Sequence, residues 1–295
     1  MKDLAATLSL LVLAMAVGIR EGSASEGMQS PSMTWMRSAS TEGSSHPTAI
    51  ALLIHGLNLR PDWMRDVGTL LNAGGADALL VGLSGHNGEE AGLAGVTREK
   101  WLDEAYQAYC VAREAADASG LPLYFVGFSL GGAIGLELLA ENFPIPVAFD
   151  RMILLAPAAA PQGALRAVLL FGLFGQDFLV PSLSIRSYRA NQGGTTVGAY
   201  TALFEMVRAI EGSELSKLNI PTLWFIDPED ELVSEDGLKA LIRAGSLDRW
   251  SLVELSHEGV RPRSGYHHII LNEESLGSVS WQRMSEEIAA FMVKP

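Results

Sequence analysis

Six short apolar runs, separated by segments with helical spacing, constrain this chain more than any other feature. They occupy residues 48–55 (TAIALLIH), 77–83 (DALLVGL), 123–127 (LYFVG), 151–156 (RMILLA), 221–226 (PTLWFI) and 250–255 (WSLVEL). Runs this short and this continuous are expected of strands covered on both faces, since an open face would show as alternation. Helical patterns fall between them at 62–72, 97–119, 131–141 and 235–244, and an amphipathic stretch closes the chain at 278–293. The first begins after Pro61 and ends at Gly74-Gly75, the punctuation expected of a helix. The alternation predicts an α/β fold with a doubly wound, mostly parallel sheet and right-handed crossovers. Residues 157–219 break the rhythm, being too long for a crossover, and predict an inserted helical cap with helical stretches at 163–178 and 198–210.

Composition narrows the function classes. Of 295 residues, 48% are hydrophobic and 19% charged, so the chain can bury a core and is not disordered. The formal net charge of −13 repels a phosphate backbone and argues against nucleic acid as a partner. The single cysteine, Cys110, excludes an internal disulfide framework and any multi-cysteine metal centre. No P-loop, no G-x-G-x-x-G after a strand and no multi-histidine ligand spacing is present, so neither a metal nor an organic cofactor is implied.

The first 24 residues have the form of an export signal. Lys2 supplies a positive start, residues 4–17 are almost unbroken Leu, Ala, Val and Met, and Gly22-Ser23-Ala24 offers small residues for cleavage after Ala24. The apolar run is shorter than the roughly 20 residues a membrane span needs. An uncleaved N-terminal anchor is the alternative. Residues 25–47, rich in Ser, Gly, Thr and Met without a sustained period, are expected to form a flexible lead-in to a domain spanning 48–295. The expected location is outside the cytoplasm, periplasmic or secreted.

The chemistry concentrates where the third apolar run meets the next helix. Gly127-Phe128-Ser129-Leu130-Gly131 is a G-x-S-x-G segment in strand–turn–helix context. A turn this tight forces its serine into a strained backbone conformation, and glycines two before and two after remove the Cβ atoms that would clash. The hydroxyl then projects above the C-terminal edge of the sheet, over the N-terminus of a helix that favours developing negative charge.

These residues resemble the α/β-hydrolase superfamily over about 48–295, and most closely its lysophospholipase, monoglyceride lipase and carboxylesterase branch, also described as serine aminopeptidase S33-like. The resemblance rests on His55-Gly56 after the first strand, Gly85-His86 after the second, the elbow at Ser129, Asp230-Glu231-Leu232-Val233 after the fifth, and His268 near the end. The chain order Ser, Asp, His is that of the superfamily. It implies Ser129 as nucleophile, needing a base within hydrogen-bond reach.

Among the six histidines, the run from His268 to Glu273 resembles the family's His-x-x-Leu-Asn-Glu ending and selects His268 as base, with His267 and His257 as alternatives. The resemblance implies that His55 and His86 belong to loops that shape the site. The acid that orients the base is expected at Asp230, with Asp227 and Glu229 as alternatives. Asp227 stands where the family pattern Gly-x-x-Asp-x-x-Val has glycine. The backbone amides of Leu57 and Leu130 are the expected oxyanion donors.

The cap bears on the substrate. The run Val168-Leu-Leu-Phe171-Gly-Leu-Phe174, with Phe178 beyond, can line an acyl pocket or touch lipid, or pack against the sheet domain. Arg186 and Arg189 lie in a stretch, residues 181–191, that resembles the cap of carboxylesterase-type members. The reading is therefore a hydrolase of small-molecule or lipid esters, with a transient membrane-surface contact as a further expectation. An aminopeptidase or thioesterase using the same three residues is the alternative, and a binding module without catalysis is the rival from another class.

Overall fold

Strands β1 (Ser32–Met36), β2 (Ala49–Ile54), β3 (Ala76–Gly82), β4 (Leu123–Phe128) and β5 (Arg151–Leu155) join β8 (Thr222–Ile226) and β9 (Trp250–Glu254) in one seven-stranded sheet of order β1-β3-β2-β4-β5-β8-β9. All neighbours run parallel except β1, which pairs antiparallel with β3. The computed structural model describes residues 31–38, 46–86, 88, 92–182, 186–257 and 267–293. The expected leader at 1–24 lies outside the described residues.

Alternation within each strand divides the core into two layers. Ile50, Leu52 and Ile54 of β2 face one cluster, built with α2 (Arg98–Ser119), α3 (Leu130–Ala140), α4 (Val197–Glu211) and α5 (Glu235–Gly245). Ala49, Ala51 and Leu53 face the other, with Val67 and Leu71 of α1 (Arg65–Ala73) and Met284, Ile288 and Phe291 of α7 (Ser278–Val293). Every residue of β2 is buried, which is why the strand shows no alternation in sequence. α2 starts where Thr97 caps it, its side chain accepting from the Lys100 amide at 3.1 Å, and stops at Gly120 with φ +65°.

The lead-in expected at 25–47 is corrected in part, because it contains β1. Five residues among serines gave too short a pattern to read as a strand. In the fold, Met33 and Trp35 pack against one core cluster and Met36 against the other. The Arg37 guanidinium and Ser38 amide then bond the buried Asp77 carboxylate at 2.7 and 2.8 Å, tying the strand's end to β3.

Between β5 and β8 lies the inserted segment. It begins with a 3₁₀ helix at Gly163–Phe174, four residues shorter than the helical stretch expected to 178. The pair β6 (Leu179–Val180) and β7 (Thr195–Thr196) follows, and then α4, capped by Thr196 accepting from the Ala199 amide at 3.1 Å. A short helix α6 (Glu273–Leu276), capped by Asn272, precedes α7. No helix among the described residues is long and apolar enough to cross a membrane.

Candidate active site

The parallel sheet delivers the ends of β4, β8 and β9 to the same edge. Ser129 follows β4 directly, at φ 51° and ψ −112°, a conformation that costs a non-glycine residue on the order of 1–3 kcal/mol. Its backbone is over-determined on both sides. The Ser129 amide bonds Leu155 O at 2.9 Å, and Ser129 O accepts from the amides of Ala158 at 2.9 Å and Ala133 at 3.2 Å. A Cβ on Gly131 would sit 2.1 Å from Ile54 O, and one on Gly127 would sit 2.6 Å from the Gly131 carbonyl. The two glycines let β2, β4 and α3 close around the turn.

The Ser129 hydroxyl lies 2.8 Å from His268 Nε2, and His268 Nδ1 lies 2.8 Å from Asp230 Oδ2. Their mutual placement assigns the ring: Nδ1–H donates to the carboxylate, leaving the Nε2 lone pair to accept from the serine. The other oxygen of Asp230 accepts from the amides of Leu232 and Val233, both at 2.8 Å, which fixes the carboxylate plane. Ser129, Asp230 and His268 are each under one-tenth exposed, and the His268 ring is braced by Phe128 at 5.0 Å between centroids. The structure thus brings together the expected serine, acid and histidine: His268 meets Ser129 and Asp230 meets His268, whereas the alternative Asp227 meets the alternatives His257 and His267.

The two other expected residues flank this group. Leu130 is the first residue of α3, where a helix amide has no partner within its own helix. Leu57 belongs to the turn after β2. Close approach shapes that turn, because a Cβ on Gly56 would lie 2.7 Å from the Phe128 ring.

Two buried histidines hold the turn in place. His55 accepts from the Leu83 amide through Nε2 at 3.1 Å and donates through Nδ1 to Gly56 O at 2.8 Å. His86 accepts from the Asn58 amide through Nε2 at 3.1 Å and donates through Nδ1 to Ser84 O at 3.2 Å. Each ring therefore spends one nitrogen as acceptor and must be neutral. Burial drives the His55 pKa down to about 4, against a smaller opposing effect of the Gly56 carbonyl. Burial and the neighbouring His55 push His86 well below its usual range. Both rings thereby tie the loop after β2 to the loop after β3.

Sequence reasoning missed three contributions. Asn58, at φ 51°, donates to Asn191 O and Gly194 O at 3.3 and 3.2 Å and accepts from the Asn191 amide at 2.7 Å, clasping the inserted segment to the loop below it. Glu137 is buried inside α3 against Arg98, and burial outweighs that arginine and raises its carboxyl to about 7. Asp227, His257 and His267 meet behind the Asp230 and His268 loops. Asp227 Oδ2 lies 2.5 Å from His257 Nδ1 and 3.0 Å from His267 Nδ1. Burial alone would raise the Asp227 carboxyl, but hydrogen bonds from His257, the Glu229 amide and His267 hold it below its usual value. None of these has a local motif, since the residues joined across each contact lie 30 to 136 positions apart.

A cleft of about 450 Å³ lies beside β1, lined by Ser32, Arg60, Asp62, His86 and Arg189 among others, and contains none of the three residues at the elbow. The chemistry is therefore assigned from the contacts of Ser129 and not from the cleft.

The profile of the family described as serine aminopeptidase, S33, matches residues 45–273, from just before β2 to the start of α6. The chain belongs to this family of α/β-hydrolases. Among solved structures, a soluble variant of monoglyceride lipase from Saccharomyces cerevisiae, in complex with a substrate analog, is similar with a TM-score of 0.72 at 13% identity, covering 92% of this chain and 93% of that one. Paleococcus ferrophilus monoacylglycerol lipase is similar with a TM-score of 0.62 at 13% identity, over 89% of this chain and 100% of that one. Est1E from Butyrivibrio proteoclasticus with bound ferulic acid gives 0.59 at 19% identity, over 89% and 94%. At these identities the likeness establishes the shared fold. No curated protein matches the sequence. Membership accords with the elbow and the Ser–Asp–His order read from the sequence.

Proposed function

We propose that the protein is a serine hydrolase of carboxylic esters, acting on acyl-glycerol, lysophospholipid or simple esters through an acyl-enzyme. The observation that carries this reading is the 2.8 Å contact of the Ser129 hydroxyl with an imidazole whose other nitrogen is held by a carboxylate. As the Ser129 oxygen attacks an ester carbonyl, His268 Nε2 takes its proton and Asp230 stabilises the resulting imidazolium. The carbonyl oxygen, now an anion, is bound by the Leu130 and Leu57 amides, and each such donor contributes about 2.7–4 kcal/mol in comparable sites. His268 then gives the proton to the departing alcohol, leaving Ser129 acylated. Water, deprotonated by the same ring, attacks the acyl group and releases the acid.

The choice of ester draws support from the inserted segment. Leu170, Leu173 and Phe174 are 72%, 92% and 65% exposed, whereas Val168 and Phe171 of the same 3₁₀ helix are buried. An apolar face of this kind fits acyl chains or a transient contact with a membrane surface. Export by the segment at 1–24 accords with such a setting. The family's description favours one second reading, an aminopeptidase using the same three residues, which requires an acidic anchor for the substrate amine.

A substrate panel separates the readings. The purified protein is assayed on p-nitrophenyl esters of graded acyl length, a monoacylglycerol, acyl thioesters and aminoacyl anilides. The ester reading expects kcat/KM for the best ester to exceed that for any aminoacyl anilide by about 100-fold, some 2.7 kcal/mol in the transition state. Equal or faster turnover of the anilides overturns it.

A further inference from the structure

The geometry points to a divalent transition-metal site formed by Asp227, His257 and His267, with Zn²⁺ as the best match. Their ligand atoms, one carboxylate oxygen and two imidazole nitrogens, all lie within 4.8 Å of one another. Two imidazoles and one carboxylate form a donor set that suits Zn²⁺ and leaves a position open on a tetrahedral ion. The inference is independent of the ester-hydrolase reading.

Convergence of three donors is only part of the argument. In a built metal site, each ligand's remaining polar atom is held by an outer partner. His257 Nε2 lies 2.8 Å from Ser275 O, so that nitrogen carries its proton and donates it, leaving Nδ1 to face Asp227. Asp227 Oδ1 accepts from the Glu229 amide at 2.8 Å, leaving Oδ2 to face both rings. His267 Nε2 lies 3.5 Å from a Glu229 carboxylate oxygen while its Nδ1 points inward. Both histidines thus turn Nδ1 to the same point, and both Nε2 atoms have oxygen partners outside it.

Burial suits the same reading. The Asp227 and His257 side chains are only 2–3% exposed and that of His267 is 23% exposed. Tetrahedral Zn²⁺ sets ligand atoms about 3.3 Å apart, given bonds of about 2.0–2.2 Å. The 3.0 Å contact to His267 is near that spacing and the 2.5 Å contact to His257 needs to open by less than about 1 Å.

Such an ion cross-links the two loops that carry the elbow's partners. Asp227 precedes Asp230 by three positions and shares its turn, the Asp230 amide bonding Asp227 O at 3.0 Å. His267 is the neighbour of His268. His257 follows β9 and, through Ser275, ties in α6. The ion would therefore be a positioning element behind the carboxylate and imidazole, with no contact to the substrate. The sequence hides the set because its members stand 30 and 10 positions apart on separate loops, outside any compact ligand motif.

The test uses the full-length protein, stripped with a chelator, dialysed, and titrated with Zn²⁺ and separately with Co²⁺. The expected results are one ion per chain, visible absorption typical of tetrahedral Co²⁺ and a thermal midpoint that rises with Zn²⁺. Asp227→Asn and His267→Asn are expected to weaken Zn²⁺ binding at least tenfold, whereas His268→Ala leaves it intact. Failure of the stripped wild type to bind either metal overturns the site. Loss of binding with His268→Ala but not with His267→Asn also overturns it, by moving the ion to the elbow. Because the wild type is read directly, a misfolded variant leaves the test decisive.

Discussion

His268 Nε2 stands 2.8 Å from the hydroxyl of Ser129, a residue 139 positions earlier in the chain. That contact exists only because Asp230 holds the far side of the ring at 2.8 Å and Leu232 and Val233 hold Asp230. Asp230→Asn keeps the shape but presents the ring with an amide that can donate, favouring the wrong tautomer. The expected outcome is a fall in kcat of about 10³–10⁴-fold with KM little changed, measured on a p-nitrophenyl ester. A loss below about tenfold would mean that another acid orients the ring.

Gly131→Ala tests the elbow's packing. The added methyl would meet Ile54 O at 2.1 Å, a backbone atom in a strand buried on both faces. The expected cost is several kcal/mol, on the order of 3 or more, by urea unfolding, together with loss of most activity. Gly163→Ala is the control, since nothing lies within 4 Å of the new atom, and it should change stability by less than about 1 kcal/mol.

His55 predicts an acid limit. It is neutral in the fold with a pKa of about 4, against an ordinary 6.5, so between these values the unfolded chain binds a proton that the folded one refuses. Its contribution is complete above pH 6.5 and is lost as pH falls through about 4, amounting to roughly 3 kcal/mol. His86 acts in the same direction. Unfolding free energies should drop across this window, and the His55 ring should stay neutral and Nδ1-protonated by NMR at pH 6. A His55 that titrates near 6.5 contradicts the neutral clamp beneath Leu57.

Glu137 has the opposite sign. Its folded pKa of about 7 exceeds the ordinary 4.5, so the folded chain holds a proton that the unfolded one releases between those values. Its contribution is present below pH 4.5 and lost as pH rises through 7, by roughly 2–3 kcal/mol. The stability difference between wild type and Glu137→Gln, measured by urea at pH 5 and pH 8, should therefore move against the wild type at pH 8. No change between the two pH values would show that Arg98 keeps the carboxylate ionised throughout.

How legible the molecule is depends on whether a feature is local. Five of the six strands read from the sequence announce themselves because both faces of β2, β3, β4, β5 and β8 are covered, leaving runs such as ALLI and TLWFI unbroken, whereas β9 at the sheet edge is buried only at Val253 and departs from the two-sided cover expected of it. The edge strand β1 is half exposed and only five residues long, so the alternation of Met33 and Trp35 with Ser32 and Thr34 is too brief to read as a strand. The elbow is legible because one tight turn dictates glycines at fixed offsets. Asp230 and His268 are read from resemblance together with chain order. The clasp of Asn58 with Asn191 and the meeting of Asp227, His257 and His267 are created by tertiary contact alone, so no window of sequence contains them. The 3₁₀ geometry of Gly163–Phe174 is likewise invisible, because its composition suits an α-helix equally well.

The central claim is that Ser129 is an activated nucleophile. The most direct test is labelling with a fluorophosphonate ester, with the modified peptide identified by mass spectrometry. The account predicts one adduct per chain on the Ser129 hydroxyl, abolished by Ser129→Ala, slowed by several orders of magnitude in His268→Ala, and accompanied by complete loss of ester hydrolysis. An adduct on another residue, or a Ser129→Ala protein that hydrolyses esters as fast as the wild type, would contradict it.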